Sequence, residues 1–243
     1  MREAIATLRS ILTYVVILAY IAVAGPLGIL IGVVLRWKRG LYALGHMGVW
    51  LSLTLAGIRY RVSGQEHVPS SAVVFCSNHE SNVDPPVLFR ALHPYLHILY
   101  KAELHKFPIM GTVLDVGGFV PIDRGDREKA IASIAKGAES LKAGNSFLIF
   151  PEGTRSRTGK LLPFKKGGFI MAMKAQVPIV PVAVQGGRTA MRKGSAVVQP
   201  VRVTVRIGLP IPTDGLTADD RDPLIAKVRA EIEALLRQGS LWT

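Results

Sequence analysis

The chain has 243 residues, enough for one compact domain with or without an appendage, and its 30 Lys and Arg against 17 Asp and Glu give a formal net charge of +13. Hydrophobic residues make up 49% of it and the mean hydropathy is +0.31, so part of it is expected to lie outside water, with anionic partners: nucleic acid, a membrane face or a phosphorylated substrate. The single cysteine, Cys76, excludes an intrachain disulfide and a cysteine-based zinc site.

The apolar excess is concentrated at the start. Ile11 to Leu35 carries no formal charge over 25 residues, and as a continuous helix it would measure roughly 38 Å against a hydrocarbon core of about 30 Å. Gly25-Pro26 interrupts the run with a residue that removes a helix hydrogen bond, which also allows two shorter helical pieces. A second apolar segment, Leu41 to Ile58, follows Arg36-Trp37-Lys38-Arg39. A signal peptide, a spanning hairpin, a buried core hairpin and an anchor dipping into one leaflet are all compatible with these features. Arg2 and Arg9, then Arg36, Lys38 and Arg39, then Arg59 and Arg61 flank every end, so the positive-inside rule assigns no direction. Ends that all return to one anionic surface favour a two-helix anchor, residues 1–58, lying in one leaflet or forming a hairpin.

From residue 59 to 243 the texture is that of an α/β domain. Runs rich in β-branched and aromatic residues predict strands at Ile58–Val62, Ala72–Cys76, His97–Tyr100, Phe119–Ile122, Phe147–Phe150, Ile179–Val184 and Val201–Ile207. Asp126 to Lys142 reads as a helix, with Asp126 as cap, an apolar stripe of Ala130, Ile131, Ile134, Ala138 and Leu141, and Gly144 beyond its end. A charged helix over Ala218–Gln238 closes the domain. Alternating strands and helices predict a mixed, largely parallel sheet covered by helices.

Three polar clusters sit at predicted strand ends. The first, Cys76-Ser77-Asn78-His79-Glu80-Ser81-Asn82-Val83-Asp84-Pro85-Pro86, places Asp84 where it would cap a helix opened by Pro85. On a helix, residues five apart point about 140° away from each other, so a His79–Asp84 contact requires a turn, and Asn78, Ser81 and Asn82 are residue types that make turns. Such a contact would fix the imidazole tautomer and leave the other nitrogen free as a base. The other two, Gly118 to Arg124 and Phe150 to Arg157, end in arginines, whose planar donors suit phosphate oxygens, at the end of the sheet where open α/β folds bind ligands.

Asn78-His79 with Asp84, Gly118 to Arg124, Phe150-Pro151-Glu152-Gly153-Thr154-Arg155-Ser156 and Val177-Pro178-Ile179-Val180-Pro181-Val182 resemble, in order and spacing, the four blocks of the glycerolipid acyltransferase family. The likeness runs over roughly residues 60 to 210 and departs at Pro121, where the family more often carries a bulky apolar residue. The short chain and apolar N-terminus look most like the bacterial 1-acylglycerol-3-phosphate acyltransferase branch. The resemblance implies transfer of an acyl group from acyl-CoA or acyl carrier protein to the sn-2 hydroxyl of lysophosphatidic acid, making phosphatidic acid. Another lysophospholipid or glycerol phosphate would be the alternative acceptor. It further implies His79 as base, Asp84 as its orienting partner, and Arg124, Glu152, Gly153, Thr154 and Arg155 on the acceptor, while Lys101 is a phosphate candidate by charge alone. It implies neither cofactor nor metal, and a catalytic domain on the cytoplasmic face of the inner membrane beside an anionic lipid surface.

Other classes are weaker. A metal-dependent hydrolase could use His79, Glu80 and Asp84, but no second histidine stands at ligand spacing and no Gly-x-Ser-x-Gly elbow occurs. Nucleic-acid binding would use the charge, yet no known motif is present and few aromatics interleave with the basic residues.

Overall fold

The computed structural model describes residues 2–123, 125–191 and 195–242. All seven expected strands form: β1 (Arg59–Ser63), β2 (Val74–Ser77), β3 (Leu96–Lys101), β4 (Val120–Ile122), β5 (Ser146–Ile149), β6 (Ile179–Gln185) and β7 (Arg202–Ile207). They make one sheet of order β1-β7-β6-β2-β5-β3-β4, parallel throughout except for the antiparallel pair β6–β7. The α/β expectation of a mixed, largely parallel sheet is met.

Strand alternation sends neighbouring side chains to opposite faces. Phe75, Leu148, Val180 and Val182 face one side, with Tyr42, Leu53, Val87 and Leu88. These come from α2 (Lys38–Leu55) and α3 (Asp84–Ala91). Val74, Cys76, Phe147 and Ile149 face the other, against Leu141, Phe169, Met171, Val228 and Ile232. That layer is α5 (Arg127–Lys142), α6 (Gly167–Ala175) and α7 (Arg221–Arg237). In α5 Asp126 caps the start, accepting the N–H groups of Glu128 and Lys129. Its buried face is Gly137, Ala138 and Leu141, and Ile131 is 52% exposed. Ile131 lies one residue, about 100° of helix, from Ala130 and points past the sheet.

The N-terminal region holds two helices that differ from each other. α1 (Arg2–Ile29) runs through Gly25-Pro26 without a break and continues into a π-helical turn, Leu30–Val34. One helix, Glu3–Val34, is long and apolar enough to cross a membrane, and its 18-residue apolar stretch is only 6% buried. α2 differs because its Tyr42 and Leu53 belong to the core cluster of the sheet. A proline costs one helix hydrogen bond and a clash with the carbonyl four residues earlier, here Ala22, and the helix continues through both. α1 rests on the domain at both ends: the Val198 N–H donates to Ser10 Oγ at 2.8 Å and Tyr14 Oη donates to the Ala196 carbonyl at 2.6 Å. Towards its other end Gly25 and Gly32 lie against Ile109 and Val116 of α4 (Pro108–Val116).

Candidate active site

Because β6, β2 and β5 are adjacent and parallel, the loops leaving their C-terminal ends meet at one edge of the sheet. Those loops carry His79 after β2, Glu152 after β5 and Gly187 after β6.

Asn78 binds two of these strands together. Its Oδ1 accepts the Val184 N–H at 2.7 Å and its Nδ2 donates to the Val184 carbonyl at 2.8 Å, so the side chain copies a ladder pair just past the end of β2. The chain then turns through Asn82 and Val83 into α3, the Asp84 N–H donating to the Ser81 carbonyl at 3.2 Å. Asp84 is fully buried, and its Oδ2 accepts the N–H groups of Glu80 and Ser81, each at 2.7 Å. The carboxylate therefore reaches back into the turn rather than forward over the helix start, and the expected capping role of Asp84 is not the geometry found. The same oxygen lies 2.9 Å from His79 Nδ1. A carboxylate oxygen accepts, so Nδ1 carries the proton and Nε2 presents a lone pair. Phe150 stacks on the imidazole with ring centroids 4.2 Å apart, which restricts its rotation.

Glu152 fixes the backbone of the same segment. It is buried, and its two oxygens accept the His79 N–H at 2.8 Å and the Leu162 N–H at 2.9 Å. Burial pushes its carboxyl above the usual range, against the pull of those two N–H groups. The Ser156 N–H donates to the His79 carbonyl at 2.8 Å, so residues 152–162 hold the histidine's peptide on both sides.

The loop after β6 closes the third side. Glu80 Oε1 accepts the N–H groups of Gly187 and Arg188 at 2.9 and 3.2 Å. Burial and the charge of Asp84 push the Glu80 carboxyl up to about 7, despite the opposing pull of Arg188 and the two N–H groups.

Two hollows flank this segment. Glu80 lines one, of about 330 Å³, with Arg155, Arg157 and Arg188. Pro85 and Pro86 line the other, about 500 Å³ and almost wholly apolar, with Ile21 of α1, Gly45 of α2, Phe89 of α3 and Met110 of α4. Its size falls in the roughly 300–1,000 Å³ range of ligand pockets.

Of the expected site residues, His79, Asp84, Glu152 and Arg155 come together here. Gly153, at φ +69°, packs against Lys165, and Thr154 is exposed on the same turn. Lys101 lies at the end of β3, outside both hollows, and pairs with Glu103 at 2.8 Å. Arg124 lies outside the described residues. Among the described residues no group of three His, Cys, Asp or Glu is placed to hold a metal ion. Residue patterns did not single out the strand-bridging work of Asn78, the Phe150 ring or the Glu80–Arg188 link. The one signal for the last was the Gly186-Gly187 pair directly after a strand.

Comparison with known proteins bears on the family and the fold. The family model described as Acyltransferase matches residues 59–185. A 1-acyl-sn-glycerol-3-phosphate acyltransferase of Limnanthes douglasii is 36% identical over 186 residues, covering 76% of this chain and 66% of its own length. A protein of the same name from Pseudomonas aeruginosa is 34% identical over 194 residues, covering 78% of this chain and 75% of its own. The crystal structure of the 1-acyl-sn-glycerophosphate acyltransferase PlsC from Thermotoga maritima superposes over 100% of both chains with a TM-score of 0.86 at 24% identity, a likeness of fold.

Proposed function

Since the chain belongs to the acyltransferase family, we propose that it transfers an acyl group from a thioester to the sn-2 hydroxyl of lysophosphatidic acid, yielding phosphatidic acid. The observation that carries this reading is the position of the His79–Asp84 pair. The segment that carries the pair borders two hollows: its Pro85 and Pro86 line an apolar one fit for a hydrocarbon chain, and its Glu80 lines one with three arginines, fit for a phosphate.

The chemistry follows from the free Nε2 of His79. That nitrogen takes the proton of the sn-2 hydroxyl as the oxygen attacks the thioester carbonyl carbon. Asp84, fixed by two backbone N–H groups, stabilises the imidazolium that forms. The tetrahedral intermediate collapses, the C–S bond breaks, and the departing thiolate recovers the proton from Nε2. No acyl-enzyme is formed. Arg155, Arg157 and Arg188 have no ion-pair partner among the described residues, and apart from the Arg188 Nη1 bond to the Thr158 carbonyl their donors would serve the acceptor phosphate, with Arg124 as a further ligand. The donor is acyl-CoA or acyl carrier protein.

The acceptor and product live in a bilayer, and α1 provides the attachment. Helix contacts with the domain at both ends, with Leu8, Leu18 and Val23 exposed, support a helix lying along the domain in one leaflet of an anionic membrane. We place residues 59–243 on the cytoplasmic face of the inner membrane, with residues 1–58 as the attachment region.

The test is acyl transfer by purified full-length protein in detergent, with lysophosphatidic acid and other lysolipids as acceptors and both thioesters as donors. His79→Ala should lower turnover by about 10² to 10⁴ while leaving the fold intact, and Asp84→Asn should also impair it. Near-normal turnover in folded His79→Ala protein overturns the mechanism.

A further inference from the structure

Arg188 lies outside the four blocks that carry the family likeness, yet it bonds to the first of them at Glu80 and to Thr158, just past the third. Its own N–H and that of Gly187 donate to Glu80 Oε1 beside the histidine. Its guanidinium Nη1 donates to the Thr158 carbonyl at 2.8 Å, on the loop that carries Arg155 and Arg157. The residue therefore links the Glu80 segment, through its main chain, to the Thr158 loop, through its side chain. One donor is spent on Thr158, and a guanidinium has five. Main chain and side chain are both anchored, so directing the remaining donors into the hollow costs little rotamer entropy, unlike the case of a free surface arginine.

We propose that Arg188 is a specificity-determining residue that selects an acceptor bearing a terminal phosphate monoester over one bearing a phosphodiester headgroup; this rests on the acyl-transfer reading above. A monoester offers three non-bridging oxygens and up to two negative charges. A diester offers two such oxygens, one charge and a substituent that must occupy the space between the arginines. Three arginines around about 330 Å³ match the first and leave donors unmatched with the second. Glu80, the one carboxylate among the lining residues, is engaged by the loop N–H groups, and burial holds its carboxyl near 7, which limits its repulsion of an anion at neutral pH.

The test compares full-length wild type, Arg188→Ala and Arg188→Lys with lysophosphatidic acid and lysophosphatidylglycerol as acceptors and one fixed thioester donor. Arg188→Ala should raise the acceptor KM for lysophosphatidic acid about tenfold or more, leave the donor KM within about twofold, and cut the preference for monoester over diester by a similar factor. Arg188→Lys should restore part of it, since the charge remains and the planar fork does not. An unchanged preference, or an equal loss with both acceptors, would reduce Arg188 to a loop brace and overturn the proposal. In parallel, glycerol 3-phosphate should raise the melting temperature of wild type and not of Arg188→Ala. If wild type fails to acylate either lysolipid, the acyl-transfer reading falls, while this binding measurement still decides whether Arg188 recognises a phosphate monoester. An equal shift in both proteins decides against it.

Discussion

Gly187 lies directly against Asp84: a Cβ on the glycine would sit 2.8 Å from Asp84 Oδ1. That oxygen accepts no hydrogen bond among the described residues, while Oδ2 takes three. The carboxylate is pinned on one side and covered by a bare peptide on the other. Only a residue without a side chain lets the β6 loop close so near.

Gly187→Ala therefore forces either the loop or Asp84 to move. Because Oδ2 is tied to two backbone N–H groups, the displacement falls on the loop and on the His79–Asp84 alignment. A misplacement of about 1 Å at such a pair costs on the order of 10²-fold in rate. Turnover of Gly187→Ala should drop by that order with circular dichroism unchanged; wild-type turnover would mean the loop has slack.

Glu152 makes a different prediction from that of a substrate ligand. Removing its carboxylate strands the buried N–H groups of His79 and Leu162, each costing about 1–3 kcal/mol. Glu152→Ala should lower both the melting temperature and kcat, with Glu152→Gln intermediate because one acceptor oxygen remains. A variant of normal stability whose only defect is a raised acceptor KM would assign Glu152 to the substrate instead.

Glu80 ties stability to pH. Its carboxyl titrates near 7 in the fold, raised first by burial and then by Asp84, with Arg188 opposing, and near 4.3 in the unfolded chain. Between about pH 4.5 and 7 the folded state binds more protons, so this group's contribution to stability declines as pH rises through that window and levels off above it. The shift corresponds to an upper figure on the order of 3 kcal/mol. Glu80→Gln should flatten the decline and melt at a higher temperature than wild type at pH 8. Parallel melting curves from pH 5 to 8 for the two proteins would show that Glu80 does not titrate there.

Attachment through α1 should resist salt. Charge attraction is screened within about 3 Å at 1 M salt, whereas apolar burial of about 25 cal/mol per Å² is not. Full-length protein should stay with membranes through a high-salt wash and leave only with detergent. Cys76 is the single cysteine and is buried, so a cysteine at Lys38 offers one accessible thiol. A probe that cannot cross the bilayer should fail to label it from the side opposite the catalytic domain; labelling from that side would establish a spanning helix.

The sequence by itself determined what depends on neighbours along the chain. Seven strands were legible because each is a short run of β-branched and aromatic residues, and the Asp126 cap because a cap bonds within three residues. His79 and Asp84 were readable as a pair because five residues and a turn suffice to bring them together. Tertiary structure decided everything that joins distant segments. Glu152 reaches His79 across 73 positions, Asn78 reaches Val184 across 106, and Glu80 reaches Arg188 across 108. None of these follows from spacing, because each depends on the strand order that sets β2 between β5 and β6. The N-terminal region divides the same way. Its apolar composition was plain, but α2 becomes a core helix because Tyr42 and Leu53 pack into the cluster on one face of the sheet, whereas α1 keeps most of its apolar stretch outside the core.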